Sequence, residues 1–368
     1  MAVAGIDEPT IPGDRLPADH PPPHVGPVEG ASVWYGPELA TSGEWKYELS
    51  SSEQQEILAA MSKARHRGFD IKEIRRDDFP LPRLGPRLDE LRQEVLRGRG
   101  FVLLRGIPVD GIPLEDVATL YWGLGTYFGS ARPQNVRGHL LGHVTDVQDK
   151  VVERARGYLT NRHLLYHCDY VDIVTLLCLR KSKSGGLSSL VSSHTIHNEM
   201  WHRRPDLAER LYGPVAHDRH EEVPPGKGPW YELPIFNHYQ GRLCNYFIRR
   251  NIDSTTQYPD ALPMTPELVE ALDMVHALAN DPSLHLKMAF EPGDMQILHN
   301  HQIMHDRTAY EDWPEPDRKR HLLRLWLAPP DGIPLPDAFA GLYGSVEIGN
   351  RGGVTVPGMR PSAPLEPV

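Results

Sequence analysis

The chain has 368 residues, 40% of them hydrophobic, and a formal net charge of -10. A chain of this length buries enough apolar surface for one large domain or two small ones. Its basic residues form no long run, which argues against nucleic acid as a partner. No apolar stretch approaches the roughly 18 residues that a membrane span needs. The composition therefore predicts a globular protein that binds neither nucleic acid nor a membrane.

The cysteines and the N-terminal residues bear on the cellular compartment. Cys168, Cys178 and Cys244 are too few for a disulfide framework and have no paired metal spacing. The N-terminus has neither a basic start nor an apolar core, so no signal peptide is expected. Both features favour a cytoplasmic location.

Proline is unusually frequent, at 35 residues, close to twice the roughly 5% background. Residues 1–30 and 345–368 are rich in proline and glycine and lack periodicity. They are predicted to form an N-terminal arm and a C-terminal tail. The segment 31–344 between them is predicted to be a single domain.

Helical patterns come first along this domain. The stretch LSSSEQQEILAAMSKARHRG begins with serines and Glu53, a capping-box pattern, and places Ile57 and Met61 on one face. Predicted helices span 49–68, 88–98 and 114–129, and a buried strand spans 101–108.

Short apolar strands dominate the remainder. They are predicted at 171–180, 242–250, 295–305 and 320–328, interrupted by a helix at 266–280. Helices followed by irregularly spaced strands favour a mainly antiparallel β core with flanking helices, an α+β arrangement. A jelly-roll barrel fits this order better than a parallel sheet.

The stretch LLYHCDYVDI at 164–173 carries two strong metal ligands among strand-forming residues. In an extended strand, side chains at i and i+2 share a face, so His167 and Asp169 would project together. Because the chain has 19 histidines, such a pair also arises by chance on a solvated edge. A metal site requires a third ligand from another element.

The strand at 295–305 offers that third ligand as His299, His301 or His305. Two histidines and one carboxylate in a facial arrangement bind Fe(II) and leave positions open for a chelating cosubstrate and dioxygen. The combination favours an oxygenase, and the residues alone leave the choice among the three histidines open.

Arg324 is unusual because the strand RHLLRLWLA around it is nearly all apolar. Leu322 and Trp326 share its predicted face. Such an arginine is rarely buried without an anion. The anion is either a protein carboxylate or the far carboxylate of a dicarboxylic cosubstrate, which a planar guanidinium binds with two N–H groups.

In chain order, these motifs resemble the taurine dioxygenase and 2,4-dichlorophenoxyacetate dioxygenase family of Fe(II)- and 2-oxoglutarate-dependent oxygenases. The resemblance runs from about residue 31 to 330 and rests on GRGFVLLRGIP, YHCD, GGLSSLVSS, PGDMQILHNHQIMHDR and RHLLRLWL. It implies a double-stranded β-helix core of the jelly-roll, clavaminate synthase-like type. It also implies Fe(II) as the metal, with 2-oxoglutarate and dioxygen as cosubstrates.

The resemblance implies metal-binding roles for individual residues. The family pattern of asparagine, a few residues, histidine, any residue and arginine falls on Asn300, His305 and Arg307. It selects His305 as the distal ligand beside His167 and Asp169.

Cosubstrate-binding residues follow in the same way. The family's 2-oxoglutarate arginine maps to Arg324, with Arg320 as the alternative because the interval after His305 is slightly long for the family. The family's threonine after a GG pair corresponds to Ser188, or to Ser189 if the alignment slips.

Asp169 also bears on the reaction. Halogenating relatives have a small residue there, so its carboxylate implies hydroxylation of an unactivated C–H bond of a small molecule, with release of succinate and CO2. Desaturation and cyclisation remain alternatives, and self-association of the chain is left open.

Substrate contacts are less constrained by the sequence. Candidates for the pocket are Tyr158, Asn161, Arg162, Asn245 and Tyr246. Arg162 or Arg249 would suit an anionic substrate group, and the segment 220–236, with Trp230 and Tyr231, is a candidate lid. Ordinary strand, loop or surface roles are the alternatives for each.

Two other classes of protein could use the same ligands or fold. A zinc hydrolase would use two histidines and an aspartate with a metal-bound water. It would not account for an arginine in an apolar strand. A binding or sensor module would account for the barrel but has no need for all three ligands.

Overall fold

The computed structural model describes residues 11–24, 26–147, 157–220 and 222–367. The helices are α1 (Gly36–Ser42), α2 (Ser51–His66), α3 (Leu84–Arg97), α4 (Leu114–Gly125), α5 (Ser193–Arg203), α6 (Pro205–Arg210), α7 (Arg249–Asp253), α8 (Pro266–Ala279) and α9 (Ala340–Tyr343). Within the described ranges, none of them is long and apolar enough to cross a membrane.

The strands are short and lie mostly in the second half of the chain. They are β1 (Lys46–Glu48), β2 (Phe101–Arg105), β3 (Ser130–Ala131), β4 (Leu141–Val144), β5 (Leu164–His167), β6 (Ile173–Arg180), β7 (Ser184–Gly185), β8 (Ser188–Ser192), β9 (Ala216–Asp218), β10 (Trp230–Glu232), β11 (Phe236–Tyr239), β12 (Arg242–Asn245), β13 (Leu286–Met288), β14 (Met295–His299), β15 (Ile303–Arg307), β16 (Tyr310–Glu311) and β17 (His321–Ala328).

Two sheets form the centre of the fold. The larger has seven strands in the order β1-β2-β14-β6-β17-β3, and β4 also pairs with β17. The smaller has four strands in the order β13-β8-β15-β5. The pairs are antiparallel except for β1 with β2. The predicted α+β class with an antiparallel jelly-roll core is confirmed.

Three apolar clusters hold these layers together. One lies between the two sheets and includes Val174 and Leu322 of the larger sheet with Leu190 of the smaller. A second packs α2, α3 and α4 on the outside of the larger sheet. A third packs α5, α6 and α8 on the smaller sheet. Burial of apolar surface on both faces explains why the strands read as nearly continuous hydrophobic runs.

Strand β17 shows how its sequence places side chains on two faces. Leu323 and Leu325 pack against the outer helices, whereas Leu322 and Trp326 face the inter-sheet layer. Because side chains alternate along a strand, Arg324 must also point between the sheets. The strand periodicity thus puts a guanidinium inside the barrel.

The predicted helices are present with modest changes in their bounds. Helix α2 begins after Ser50, whose hydroxyl accepts the Glu53 backbone N–H while the Glu53 carboxylate accepts that of Ser50. The predicted strand at 242–250 ends at Asn245, and residues Arg249–Asp253 form α7 instead.

The predicted strand at 295–305 is two strands, β14 and β15, in different sheets. Asn300, His301 and Gln302 form the turn between them, and all three are buried. The prediction of one strand was wrong because the apolar periodicity runs through this turn. The Asn300 side chain in this turn bonds to Asp169 and Val171, distant partners that the local sequence does not show.

The terminal segments lie against the domain. Of the predicted arm, residues 11–24 and 26–30 are described, and Asp14 accepts a hydrogen bond of 2.6 Å from Arg219 Nη2. Near the C-terminus, the Leu140 backbone N–H donates to the Ser362 carbonyl at 2.7 Å. Arg351 is completely buried. Specific hydrogen bonds therefore hold both terminal segments against the domain.

Buried histidines make the fold sensitive to acid. Burial lowers the pKa of His194 and of His217 from 6.5 to about 4, although each ring also lies 2.9 Å from a backbone carbonyl oxygen. Below pH 6.5 these two histidines bind protons in the unfolded chain but stay neutral in the folded chain. The free energy of unfolding therefore falls as pH falls from 6.5 to about 4.

We expect the melting temperature of the metal-free protein to fall through this window. His217→Asn should flatten the dependence, because the variant no longer carries the titrating ring. His202→Asn is the matched control, since His202 is exposed. Equal pH dependence in the parent and both variants, measured by thermal denaturation, would contradict this expectation.

Candidate metal centre and active-site cavity

Three potential metal ligands meet where β5 and β15 pair. His167 ends β5, His305 is central in β15, and the two are direct partners in the register. Asp169 Oδ1 lies 3.7 Å from His167 Nε2, and Asp169 Oδ2 lies 3.9 Å from His305 Nε2. One ligand atom from each residue lies within 4.8 Å of the others. The structure thus brings together the three residues that the sequence singled out.

Asp169 reaches this position from a loop. Strand β5 ends at His167, so the expected alternation along one strand does not extend to Asp169. The Asp169 backbone N–H donates to Asn300 Oδ1 at 3.0 Å, and Asn300 Nδ2 donates to the Val171 carbonyl at 2.8 Å. The β14–β15 turn therefore holds the loop that carries the carboxylate.

The protonation states suit metal binding. Burial raises the pKa of Asp169, but the charge of Arg324, with further contributions from its two histidine neighbours and the Trp326 hydrogen bond, outweighs it, and the net pKa is below its usual value. Burial, together with His167, lowers the pKa of His305 to about 3. An ionised carboxylate and neutral imidazoles are the forms that bind metal ions.

Hydrogen bonds orient these ligands. His167 Nδ1 lies 2.8 Å from the Leu165 carbonyl oxygen, so Nδ1 carries a proton and Nε2 is the ring nitrogen that faces Asp169. Trp326 Nε1 donates to Asp169 Oδ2 at 3.0 Å. The donor set of two histidines and one carboxylate fits Fe(II).

A second cluster, Asp172 with His299 and His301, has metal-ligand spacing as well. Its carboxylate is already occupied, because Arg351 Nη2 donates to Asp172 Oδ1 at 2.8 Å and His301 Nε2 lies 3.0 Å from the same oxygen. This cluster is a buried ion-pair network. His299 and His301 therefore face Asp172, whereas His305 lies beside His167 and Asp169.

A cavity opens beside the three ligands, between the two sheets. Its lining residues are Val144, Tyr158, Leu164, His167, Val174, Leu176, Ser188, Phe290, His305, Asp306, Arg307, Arg320 and Arg324. Most of the wall is apolar, and three guanidinium groups stand among these side chains. Such a cavity favours a small ligand with anionic groups.

Arg324 lies next to the metal ligands. Its Nε donates to Gln134 Oε1 at 2.7 Å, and its Nη1 lies 3.4 Å from Asp169 Oδ2. The guanidinium stacks 4.4 Å from the centre of the Tyr158 ring. Its Nη2 is buried without a hydrogen-bond partner in the described part of the chain. Arg324 therefore faces a protein carboxylate and keeps one unused donor.

Arg320 lies four residues earlier in the chain and lines the same cavity. It is buried, burial lowers its pKa, and among the described residues its Nη1 has no hydrogen-bond partner. A Cβ placed on Gly186 would lie 3.1 Å from Arg320 Nε, so the GG segment passes close to this side chain. Gly186 also has a φ of +66°, which glycine adopts without strain.

Ser188, two residues after this glycine, lines the same cavity. Its hydroxyl lies 3.1 Å from Gln296 Nε2. The neighbouring Ser189 points the other way along the strand, and its hydroxyl bonds to that of Tyr166. Of the two serines that the sequence offered, Ser188 is the one at the cavity.

Arg307 is a cavity residue to which the sequence reasoning assigned no role. It follows His305 by two positions on β15, so both side chains share a face, and it pairs with Ser188. Its Nη2 donates to the Arg162 carbonyl, whereas Nε and Nη1 have no partner within the described ranges. Burial lowers its pKa to about 10. The i, i+2 spacing from His305 was the signal that could have found it.

The other pocket candidates separate into two groups. Tyr158 lines the cavity, and Arg162 contributes its backbone carbonyl there. Asn161 offers its carbonyl to the Tyr310 N–H. Asn245 and Tyr246 are buried away from the lining.

Of the two roles considered for Arg249, the structure shows the surface ion pair, and the lid considered for the segment 220–236 is not formed. Arg249 forms surface ion pairs with Asp253 and Asp273. Apart from residue 221, which lies outside the described residues, the segment contains β10, and both Trp230 and Tyr231 are at most 1% exposed. Packing in the apolar core and against β9 explains why these aromatic residues do not form a lid.

Comparisons with known proteins agree with this geometry. Residues 66–326 match the family described as "Taurine catabolism dioxygenase TauD, TfdA family". FR-33289 synthase of Streptomyces rubellomurinus (strain ATCC 31215) is 33% identical over 85% of this chain and 94% of that protein. Taurine hydroxylase-like protein SAT17 of Stachybotrys chartarum (strain CBS 109288 / IBT 7711) is 31% identical over 83% of each chain.

A solved structure shares the fold. Asparagine oxygenase in complex with Fe(II), 2S,3S-3-hydroxyasparagine and succinate aligns with a TM-score of 0.62, at 19% identity, over 77% of this chain and 93% of that one. The family match covers most of the described domain, and the expectation of a dioxygenase is confirmed. The chain belongs to the TauD, TfdA family of dioxygenases, whose members use Fe(II), 2-oxoglutarate and dioxygen.

Proposed function

We propose that this dioxygenase hydroxylates an unactivated C–H bond of a small molecule, with conversion of 2-oxoglutarate to succinate and CO2. The observation that carries the proposal is the cluster of His167, Asp169 and His305 beside a cavity whose guanidinium N–H groups include several without a partner among the described residues. Neither a zinc hydrolase nor a binding module has an evident use for that combination.

His167, Asp169 and His305 would hold the Fe(II). When bound there, iron and 2-oxoglutarate supply the oxidising chemistry. The chain keeps the His305 imidazole neutral and the Asp169 carboxylate ionised, and Trp326 and Asn300 orient the carboxylate-bearing loop. The presence of a carboxylate at position 169 supports hydroxylation over halogenation. The solved structure of asparagine oxygenase contains Fe(II) and succinate, which supports the same assignment.

Arg320 and Ser188 would hold the far carboxylate of 2-oxoglutarate. Because the keto acid end of this cosubstrate would bind the metal, its far carboxylate would need an anchor other than the metal ligands. Arg324 contacts Asp169, whereas Arg320 lies beside the GG segment with an unused N–H group. This geometry supports Arg320, the alternative in the sequence comparison, over Arg324.

Arg324 would then face the substrate. Its unpartnered Nη2 and its position beside the ligands suit an anionic group held close to the reacting carbon. The name of one relative refers to taurine, a sulfonate, which supports a substrate with an anionic group. Val174, Leu176 and Phe290 supply an apolar wall that excludes water from the reaction.

The test is an anaerobic titration of metal-free protein with Fe(II) and then 2-oxoglutarate. We expect the visible charge-transfer absorption of a chelated keto acid to appear. Zn(II) in place of Fe(II), and succinate in place of 2-oxoglutarate, are the matched controls and should give no band. Stoichiometric iron binding without the band would contradict the proposal. With the band established, succinate release in air identifies substrates among small anionic compounds.

A further inference from the structure

The C-terminal segment beyond the family match packs against the metal-binding loop. The match ends at residue 326, and Arg351 lies well beyond it. Arg351 is nevertheless fully buried, and its partner Asp172 is three residues after Asp169. Residues 169–172 form the connection from β5 to β6, so Arg351 contacts the loop that presents the carboxylate ligand.

The contact between Arg351 and Asp172 is a two-pronged, buried ion pair. Arg351 Nε lies 3.0 Å from both Asp172 oxygens, and Nη2 lies 2.8 Å from Oδ1. The remaining donors are satisfied as well, since Nη1 donates to the Val346 carbonyl and Nη2 to the Ile333 carbonyl. These contacts fix the guanidinium in one orientation.

The neighbouring residues hold the same loop through its backbone. The Gly353 N–H donates to the Tyr170 carbonyl at 2.6 Å. A Cβ on Gly352 would lie 3.0 Å from Val171 Cα, so the segment passes directly over the loop. The C-terminal segment therefore contacts three consecutive residues, 170 to 172.

The opposite side of the loop is held by the β14–β15 turn. The Asn300 N–H donates to the Asp172 carbonyl at 2.9 Å, and His301 Nε2 lies 3.0 Å from Asp172 Oδ1. The loop is thus clamped between this turn and the C-terminal segment. Without Arg351, the buried carboxylate of Asp172 would lose its charged partner, and a buried unpaired charge forces local rearrangement.

We propose that Arg351 is a positioning residue for the metal centre. By pairing with Asp172, it holds the 169–172 loop in the conformation that keeps Asp169 beside His167 and His305. The inference rests on the proposed function, because it assigns Arg351 a role in metal affinity. It places a determinant of that affinity in the C-terminal segment, outside the region that the family match covers.

The test compares Arg351→Gln with Arg105→Gln. Arg105 is the matched control because it forms a two-pronged ion pair of 2.8 Å with the buried Asp294, away from the 169–172 loop. The readout is Co(II) affinity of metal-free protein, measured from the visible ligand-field spectrum. Thermal unfolding with a chelator present measures the stability of each variant without metal.

We expect Arg351→Gln to weaken Co(II) binding by about tenfold, as losses of outer-shell partners do. Arg105→Gln should lower the melting temperature without changing Co(II) affinity. Arg351→Lys keeps the charge but not the planar fork, so its affinity should lie between those of the parent and Arg351→Gln. If Arg351→Gln does not fold, the Co(II) affinity of Arg351→Lys tests the proposal instead.

Two outcomes would overturn the role of Arg351. One is unchanged Co(II) affinity in folded Arg351 variants, and the other is an equal loss of affinity in Arg105→Gln. A parent protein that binds no Co(II) would instead overturn the metal centre and the proposed function with it. Normal binding by the parent together with unaffected Arg351 variants would overturn only the positioning role.

Discussion

Asp169→Ala should lose iron binding and turnover, with iron affinity reduced by more than about 100-fold, the upper end of what outer-shell changes cost. The carboxylate is the one anionic member of the three-residue cluster. Its removal leaves two imidazoles and the uncompensated charge of Arg324, which repels a cation. His305→Ala should have a comparable effect, because it removes a buried ligand for which the described chain has no substitute close to His167.

Iron content after anaerobic loading, the charge-transfer absorption with 2-oxoglutarate, and succinate formation measure the effect. Asp218→Asn is the matched control, since Asp218 is a buried carboxylate that contacts His220 and Tyr258 and does not line the cavity. It should retain iron binding and turnover. Full, tight iron binding by Asp169→Ala would show that the metal is held elsewhere.

Arg320→Leu should weaken 2-oxoglutarate binding by about thirtyfold or more, since losing a buried charged partner costs about 2 kcal/mol or more. Arg324→Leu should leave 2-oxoglutarate binding much less affected. Its main effect should be on the KM of an anionic substrate, because Arg324 lies beside the ligands and Tyr158. The two arginines line the same cavity, so they provide a matched pair.

Anaerobic titration of the charge-transfer band with 2-oxoglutarate gives the dissociation constant for each variant. Arg320→Lys should lie between the parent and Arg320→Leu, because it keeps the charge but loses the planar fork. Ser188→Ala should weaken binding modestly, through the loss of one hydrogen bond. The reverse order, with Arg324→Leu the more damaging, would identify Arg324 as the anchor of the cosubstrate.

Local sequence patterns determined most of the fold class. The capping box at Ser50 and the helical periodicity after it are properties of neighbouring residues, and α2 begins where they indicate. The alternation in β17 likewise put Arg324 on the face opposite Leu323 and Leu325. Hydrophobic periodicity alone did not reveal the turn at Asn300, because the partners of the buried Asn300 side chain are far away in the chain.

The sequence by itself also determined that a histidine and an aspartate lie close together, since His167 and Asp169 are separated by one residue. Only the tertiary structure decided which distant groups join them. Pairing of β15 with β5 brings His305 opposite His167, whereas the turn directs His301 to Asp172. Contacts of this kind depend on strand register between segments more than 100 residues apart, and local periodicity carries no information about register.

The same reason applies to the arginines and to the C-terminal segment. Composition predicted a tail after residue 344, yet Arg351 lies buried against Asp172. Arg320 and Arg324 were both candidates for the same role in the sequence. In the structure, Arg320 packs beside Gly186 and Arg324 packs beside Asp169. Residue type and spacing determined that charged groups enter the barrel, and the packing of distant segments decided which partner each group meets, because those partners are supplied by other parts of the chain.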